Sequence, residues 1–401
     1  MHKTSSTLAL CALIIGLFLT ISVSATQTDI VGPAGSGTFG NNVTVLPNGN
    51  IVVVDTGYDL SGPTVTDVGA VHLYDGATLA LISTLTGSTA NDSVGGSGVT
   101  VLTNGNYVVR SANWDNPSPL ITQVGAVTWC SAVTGCSGVV SAANSLIGGT
   151  ASDGVGNGGV TALTNGNYVV SSGNWDNPSP PITNVGAVTW GNGTTGTVGL
   201  VSVANSLIGS TANDFVGSVG VTALTNGNYV VRSQSWDNPS PLITDVGAVT
   251  WGNGAGGTVG IVSAANSLIG NTANDVVGSS AVTALTNGNY VVRSLNWDNP
   301  SPVIANVGAA TWGNGAGGTV GLVSAANSLI GGTANDQVGS SAVTALPNGN
   351  YVVSSGNWDN PSPLIADVGA VTWGNGAVGT VGLVSAANSL IGGTASDGVG
   401  N

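Results

Sequence analysis

The chain contains no glutamate: all 18 acidic residues are aspartate, against 4 Lys or Arg, 2 His, 1 Met and 3 Cys in 401 residues. Each shortage excludes something. Helices of soluble proteins draw on Glu, Lys and Leu, and a chain with 64 Gly and only 5% charged residues does not offer that vocabulary, so the composition reads as all-β. Binding to nucleic acid or to an anionic membrane needs clustered Lys and Arg, and beyond Lys3 there are only Arg110, Arg232 and Arg293. These three share one repeat position with Ser171 and Ser354 and read as solvated strand-end charges. Acid–base catalysis needs groups that titrate near neutral pH, and beyond His2 the chain offers His72 alone. Transition-metal sites built on His and Cys are excluded by the same scarcity. A hydrophobic content of 42% in turn excludes a charge-rich disordered chain.

Long apolar runs are also missing, apart from Leu8 to Val23. With His2 and Lys3 before it and Val23-Ser24-Ala25 after it, residues 1–25 read as a secretory signal cleaved before Thr26. The run is shorter than the roughly 20 residues that span a bilayer, although an uncleaved anchor is the alternative. Cys11 follows Leu10, a poor fit to lipoprotein processing. The expected location is therefore secreted or at the cell surface. Cleavage leaves three arginines against 18 aspartates, a net charge of 3 − 18 = −15. In an oxidising compartment Cys130 and Cys136, spaced to face each other across a short turn, are expected to form an intra-hairpin disulfide, with free thiols as the alternative.

Residues 26–401 form a single repeat domain. Trp114, Trp175, Trp236, Trp297 and Trp358 recur every 61 residues, and Trp129, Trp190, Trp251, Trp312 and Trp373 keep the same interval. Turn asparagines Asn48, Asn104, Asn165, Asn226, Asn287 and Asn348 count six units, the first short by five residues. In that unit Tyr58-Asp59 replaces Trp114-Asp115 and Leu73 replaces Trp129. Residues Gly392 to Asn401 copy Gly149 to Asn157, the start of a seventh unit.

Within unit three, Val160–Leu163, Tyr168–Ser172, Ala187–Trp190 and Gly199–Ala204 are short segments rich in β-branched and aromatic residues, which predicts four strands in two hairpins. Asn165-Gly166 predicts a tight primed turn in the first hairpin. Four-stranded units repeated about six times predict a β-propeller of about six blades, with a β-solenoid as the alternative.

The run Val185-Gly186-Ala187-Val188-Thr189-Trp190, followed by Ser206-Leu207-Ile208-Gly209, Asn213-Asp214-Phe215-Val216-Gly217 and Val221 to Val231, resembles the FG-GAP repeat of integrin-α-type propellers, as well as units of repeat-rich bacterial surface proteins. The resemblance implies a secreted propeller for adhesion or ligand binding, often holding Ca²⁺ in the first hairpin turn. Here that turn carries Asn226-Gly227-Asn228 without the spaced aspartates, so no cofactor is expected, with at most weak Ca²⁺ binding where Asp side chains and loop carbonyls converge.

The Trp-Asp-Asn-Pro loops hold the candidate ligand-binding residues: Trp114, Asp115, Trp175, Asp176, Trp236, Asp237, Trp297, Asp298, Trp358 and Asp359. In one reading Trp packs between units while Asp caps the turn. In the other, a ring of exposed Trp faces and Asp or Asn acceptors stacks on sugars or holds a peptide. The second Trp set reads as core. Crossover residues Asp92, Asp153, Asp214, Asp275, Asp336 and Asp397 are expected to satisfy turns between units. Asp67, Asp245 and Asp367 alternate with Gln123, Asn184 and Asn306, an alternation that argues against a shared metal role. The function expected is non-catalytic binding of an extracellular glycan or protein, or adhesion. The alternatives are a structural repeat array without a ligand and an Asp-based carbohydrate-active enzyme.

Overall fold

A computed structural model describes residues 28–61 and 64–401; the signal sequence expected over residues 1–25 lies outside them. Gly32–Asn401 forms one compact unit. Every regular element among the described residues is a β-strand. Six repeated sheets occupy residues 42–86, 98–147, 159–208, 221–269, 281–330 and 342–391.

Unit three sets the pattern. Gly159–Ala162 pairs antiparallel with Tyr168–Ser172, which pairs with Ala187–Gly191, which pairs with Ser206–Ile208. The two central strands have no solvent face, and all residues of Tyr168–Ser172 are buried. Their near-continuous apolar runs follow from having a neighbouring unit on each side. Leu102, Val108, Val127 and Leu146 of unit two pack against Tyr168, Val170, Trp175 and Ile208 of unit three. Equivalent clusters fill the junctions that follow.

The fourth predicted segment divides. Only Gly199–Leu200 is extended, and it joins the sheet of unit two, running parallel to Ser145–Ile147; the fourth strand of its own unit is Ser206–Ile208. Each of the first five sheets is thus completed by two residues reaching back from the next unit. In unit one Leu81–Thr86 pairs instead with Ala70–Tyr74, with a register shift at Leu73/Tyr74 that leaves Ile82 unpaired. The five residues missing from unit one are the reaching segment.

The Asn-Gly turn is not the primed turn expected. Gly166 has φ of 92° while Asn165 is not left-handed, Gly166 N–H donates to the Leu163 carbonyl and Leu163 N–H to the Asn167 carbonyl. This is a three-residue loop, a type I turn closed by a left-handed glycine. The Trp-Asp-Asn-Pro loop is also more ordered than expected: Asn177–Pro178 and Pro181–Ile182 form a small hairpin, repeated in the other units.

The two ends of the array differ. Residues ahead of unit one cover part of its outer face, where the Phe39 ring lies 5.8 Å from that of His72 and 6.2 Å from that of Tyr74. Unit six has no covering unit and only four strands. Leu390 is 74% exposed, whereas Leu329 one repeat earlier is 1% exposed. A seventh-unit start is present only as the crossover 392–401, which folds onto unit six through the Gly369–Val399 bridge and a hydrogen bond from Ser341 Oγ to Asn401 Oδ1.

Candidate functional site

The crossover aspartates organise each junction. Asp214 Oδ2 accepts the N–H groups of Ser210 and Thr211, and Oδ1 accepts that of Asp237, at 2.7 to 3.0 Å. Asp92, Asp153, Asp275 and Asp336 repeat this arrangement, and all five are buried. Burial pushes their carboxyls up, for Asp214 and Asp275 to about 6, against the pull of the N–H donors. Asp397 has the same local turn but no unit above it, and the Thr394 hydroxyl and N–H with the Gly393 N–H hold it below the usual carboxylate range.

The candidate ligand residues do not form a ligand surface. Trp114, Trp175, Trp236, Trp297 and Trp358 are at most 1% exposed and cannot stack on a sugar. They belong to the junction cores because each loop folds its indole inward under the small hairpin. Asp115, Asp176, Asp237, Asp298 and Asp359 are half-buried, and each Oδ1 accepts the N–H of the residue eight positions later at 2.7 or 2.8 Å. Those later positions, Gln123, Asn184, Asp245, Asn306 and Asp367, all have φ between 50° and 53°. The Asp/Asn/Gln alternation therefore follows a left-handed backbone that these side chains tolerate.

The arginines also depart from the reading as solvated charges. Arg110, Arg232 and Arg293 are half-buried and donate to the carbonyls of Gly156, Gly278 and Gly339, each at the start of the next unit; Arg232 also donates to the Val219 carbonyl. Burial lowers all three pKa values. They act as straps between units because the strand-end position faces the neighbour rather than water.

Sequence reasoning missed a further constellation. At the unit two–three junction, Asn104 Nδ2, Asn106 Nδ2 and Trp129 Nε1 all donate to the Gly193 carbonyl, at 2.8, 3.0 and 2.9 Å. The same clamp closes on Gly254, Gly315 and Gly376. At the first junction Asn48 and Asn50 hold the Ala132 carbonyl, with Leu73 in the Trp place. The signal was in the sequence: Asn-Gly-Asn, rather than Asn-Gly alone, repeats with the second Trp.

Cys130 and Cys136 are bonded, with Cα atoms 4.8 Å apart, bracing the second hairpin of unit two. His72 is buried; its Nδ1 lies 2.9 Å from Thr84 Oγ1, and burial lowers its pKa while Asp55 opposes this. No three or more His, Cys or Asp side chains gather to hold a metal among the described residues. Apolar residues recur exposed at the small hairpin, where Leu120, Leu242, Val303 and Leu364, with Pro181 in unit three, face solvent, and on the reaching segment, where Val139, Leu200, Ile261, Leu322 and Leu383 do.

A repeat of known sequence pattern but unknown function, DUF5650, matches residues 101–157, 162–218, 223–279, 284–340 and 345–401. These matches cover more than half of the chain, which therefore belongs to the DUF5650 repeat family. They fall on units two to six. No curated protein matches the chain.

Proposed function

We propose that the chain is a secreted or cell-surface, non-catalytic repeat array that binds a protein ligand through the row of hairpin tips. The observation that carries this reading is the recurrence of exposed Leu or Val at 120, 242, 303 and 364, the most exposed of the repeated apolar side chains, on a scaffold whose repeated Asp, Asn and Arg side chains serve its own junctions. Burial of the Trp rings of the Trp-Asp-Asn-Pro loops favours protein over glycan, because those rings are not left for sugar stacking. The likeness to FG-GAP repeats extends to an extracellular binding role but not to calcium. In the turn, Asn226 Oδ1 accepts from Asn228 N–H and Asn228 Oδ1 from Gly254 N–H, while both amide nitrogens point to Gly315. The engagement of the arginines between units speaks against nucleic acid and anionic membranes as partners.

The test is binding of the purified protein to a panel of immobilised extracellular proteins and to a glycan array, beside a variant with Leu120, Leu242, Val303 and Leu364 changed to Ser. The expected result is binding to a protein that the variant loses. Glycan-only binding, or binding indifferent to the four changes, would overturn it. Failure of both to bind anything would favour a purely structural array.

A further inference from the structure

Negative charge is confined to one end of each unit. In unit three the charged residues are Asp176, in the Trp-Asp-Asn-Pro loop, and Asp214, in the crossover, while residues 187–208 carry none. Loop and crossover lie together, because Asp214 Oδ1 accepts the Asp237 N–H of the next loop and Phe215 N–H donates to the Asn184 carbonyl just after the small hairpin. Every aspartate after Gly87 falls in the loop, the crossover or that post-hairpin position. The opposite end, with its Asn-Gly-Asn turns and clamped loops, is uncharged in units two to six.

The small hairpin stands on the acidic end. In unit four Pro239 pairs with Leu242 toward the tip, and at the base Asp237 Oδ1 accepts the Asp245 N–H at 2.8 Å. Strand spacing separates base from tip by about 7 to 10 Å, which a Lys or Arg beside a residue packed on Leu242 can span. Units one and six carry the same acidic pair, Asp59 with Asp67 and Asp359 with Asp367. Asn184 and Asn306 hold the second place in units three and five with the same left-handed backbone, so the turn does not require a carboxylate there. The pair is electrostatically unrelieved: burial and then the Asp237 charge push the Asp245 carboxyl up. The nearby arginines offer no relief, since Arg110, Arg232 and Arg293 give their hydrogen bonds to carbonyls.

We propose that the protein ligand is a basic one, its apolar side chains meeting the hairpin tips and its Lys or Arg side chains meeting the aspartates at their base, most strongly in units four and six. This rests on the reading that the tips bind protein, and it names the chemistry of the partner. An apolar tip above uncompensated carboxylates fits a surface on which apolar and cationic side chains alternate. It disfavours acidic partners by like-charge repulsion. Because the carboxylates are only half-buried, the charged part of the contact is screened by salt.

Titration calorimetry of the purified protein tests this with three synthetic peptides of equal length, built from Leu and Lys, from Leu and Ser, and from Lys and Ser. The Leu–Lys peptide should bind several-fold more tightly than either of the others, and more weakly as salt is raised. Asp245→Asn combined with Asp367→Asn should weaken it about fivefold at those two units. The fold should be unchanged by circular dichroism, since Asn occupies the same position in units three and five. A Leu–Lys peptide that binds this variant as tightly as the wild type, or a Leu–Ser peptide that binds as tightly as Leu–Lys, overturns the basic partner and leaves the tips as a binding surface. Equal Leu–Lys binding to the variant with Leu120, Leu242, Val303 and Leu364 changed to Ser overturns the tips as well. Lys–Ser binding equal to Leu–Lys, or no binding by any of the three, overturns the basic partner, and the protein panel then decides the tips separately.

Discussion

Tyr168 stands directly opposite Gly191 in the central strand pair of unit three, and its ring fills the space where a side chain on Gly191 would begin, 2.1 Å from the ideal Cβ. The pair recurs as Tyr229–Gly252, Tyr290–Gly313 and Tyr351–Gly374. The Tyr168, Tyr229 and Tyr290 hydroxyls are pushed up to about 12 by burial. A glycine that weakens a strand is here covered by its cross-strand aromatic neighbour.

Gly191→Ala should therefore destabilise the protein by about 1–3 kcal/mol through overpacking against the ring. Gly256→Ala, where nothing lies within 4 Å and φ is not left-handed, should be neutral or slightly stabilising. Urea midpoints compare the two. Equal effects would remove the ring as the cause.

The clamp gives a second comparison with an internal control. Asn226→Ala removes the donor to the Gly315 carbonyl and the acceptor for Asn228 N–H at a covered junction, and should cost about 1–2 kcal/mol. Asn348→Ala removes only the acceptor for Asn350 N–H at the open end, so its cost should be smaller. Hydrogen exchange at the Gly315 and Gly376 loops should locate the first loss at its junction. Comparable losses for the two variants would show that the clamp contributes little.

Much of this was legible in the sequence because the repeat fixes local spacing. The period, the hairpins Tyr168–Ser172 and Ala187–Gly191 and the inward crossover aspartates all follow from patterns within one unit. What was not legible depends on the neighbouring unit. Gly199–Leu200 has the pattern of a local strand, yet its partner is Leu146–Ile147 in the unit before. Arg232 has the character of a surface charge until Gly278 of the next unit lies beside it. The Trp236 loop could as well have displayed its ring as buried it, and only the small hairpin Asn238–Pro239 and Leu242–Ile243 decides the direction. The shortened first unit was the one sequence feature that reported on neighbours, since it lacks the segment that reaches back.

The disulfide is expected to matter only locally. Cys130 and Cys136 enclose five residues, and the matching hairpin in unit three holds without them through Asn192 N–H to Thr197 Oγ1 at 3.2 Å. Chain-entropy reasoning for so short a loop gives about 2 kcal/mol. Cys130→Ser with Cys136→Ser should lower the stability of unit two by about that amount, seen as faster hydrogen exchange in residues 130–136 with the other units unchanged. Loss of the whole fold would contradict this.

Acidification should stabilise the protein. Asp92, Asp153, Asp214, Asp275 and Asp336 are buried and their carboxyls raised above the ordinary value, two of them to about 6. Such a group binds more protons folded than unfolded, so its contribution is most favourable below the unfolded value of about 3.9 and declines as pH rises through the folded value, about 6 for Asp214 and Asp275. His72 works the other way: its lowered pKa favours the neutral folded form above about 6.5 and weakens the fold as pH falls below that. Five carboxyls act against one imidazole, so the melting temperature should be higher at pH 5 than at pH 7.5. Asp397, exposed and shifted downward, should not share in this, and Asp397→Asn should leave the pH dependence unchanged. Calorimetry across pH 4.5 to 8 reads the slope. A melting temperature that rises with pH through this window would show that the backbone N–H donors, not burial, set the state of these carboxyls.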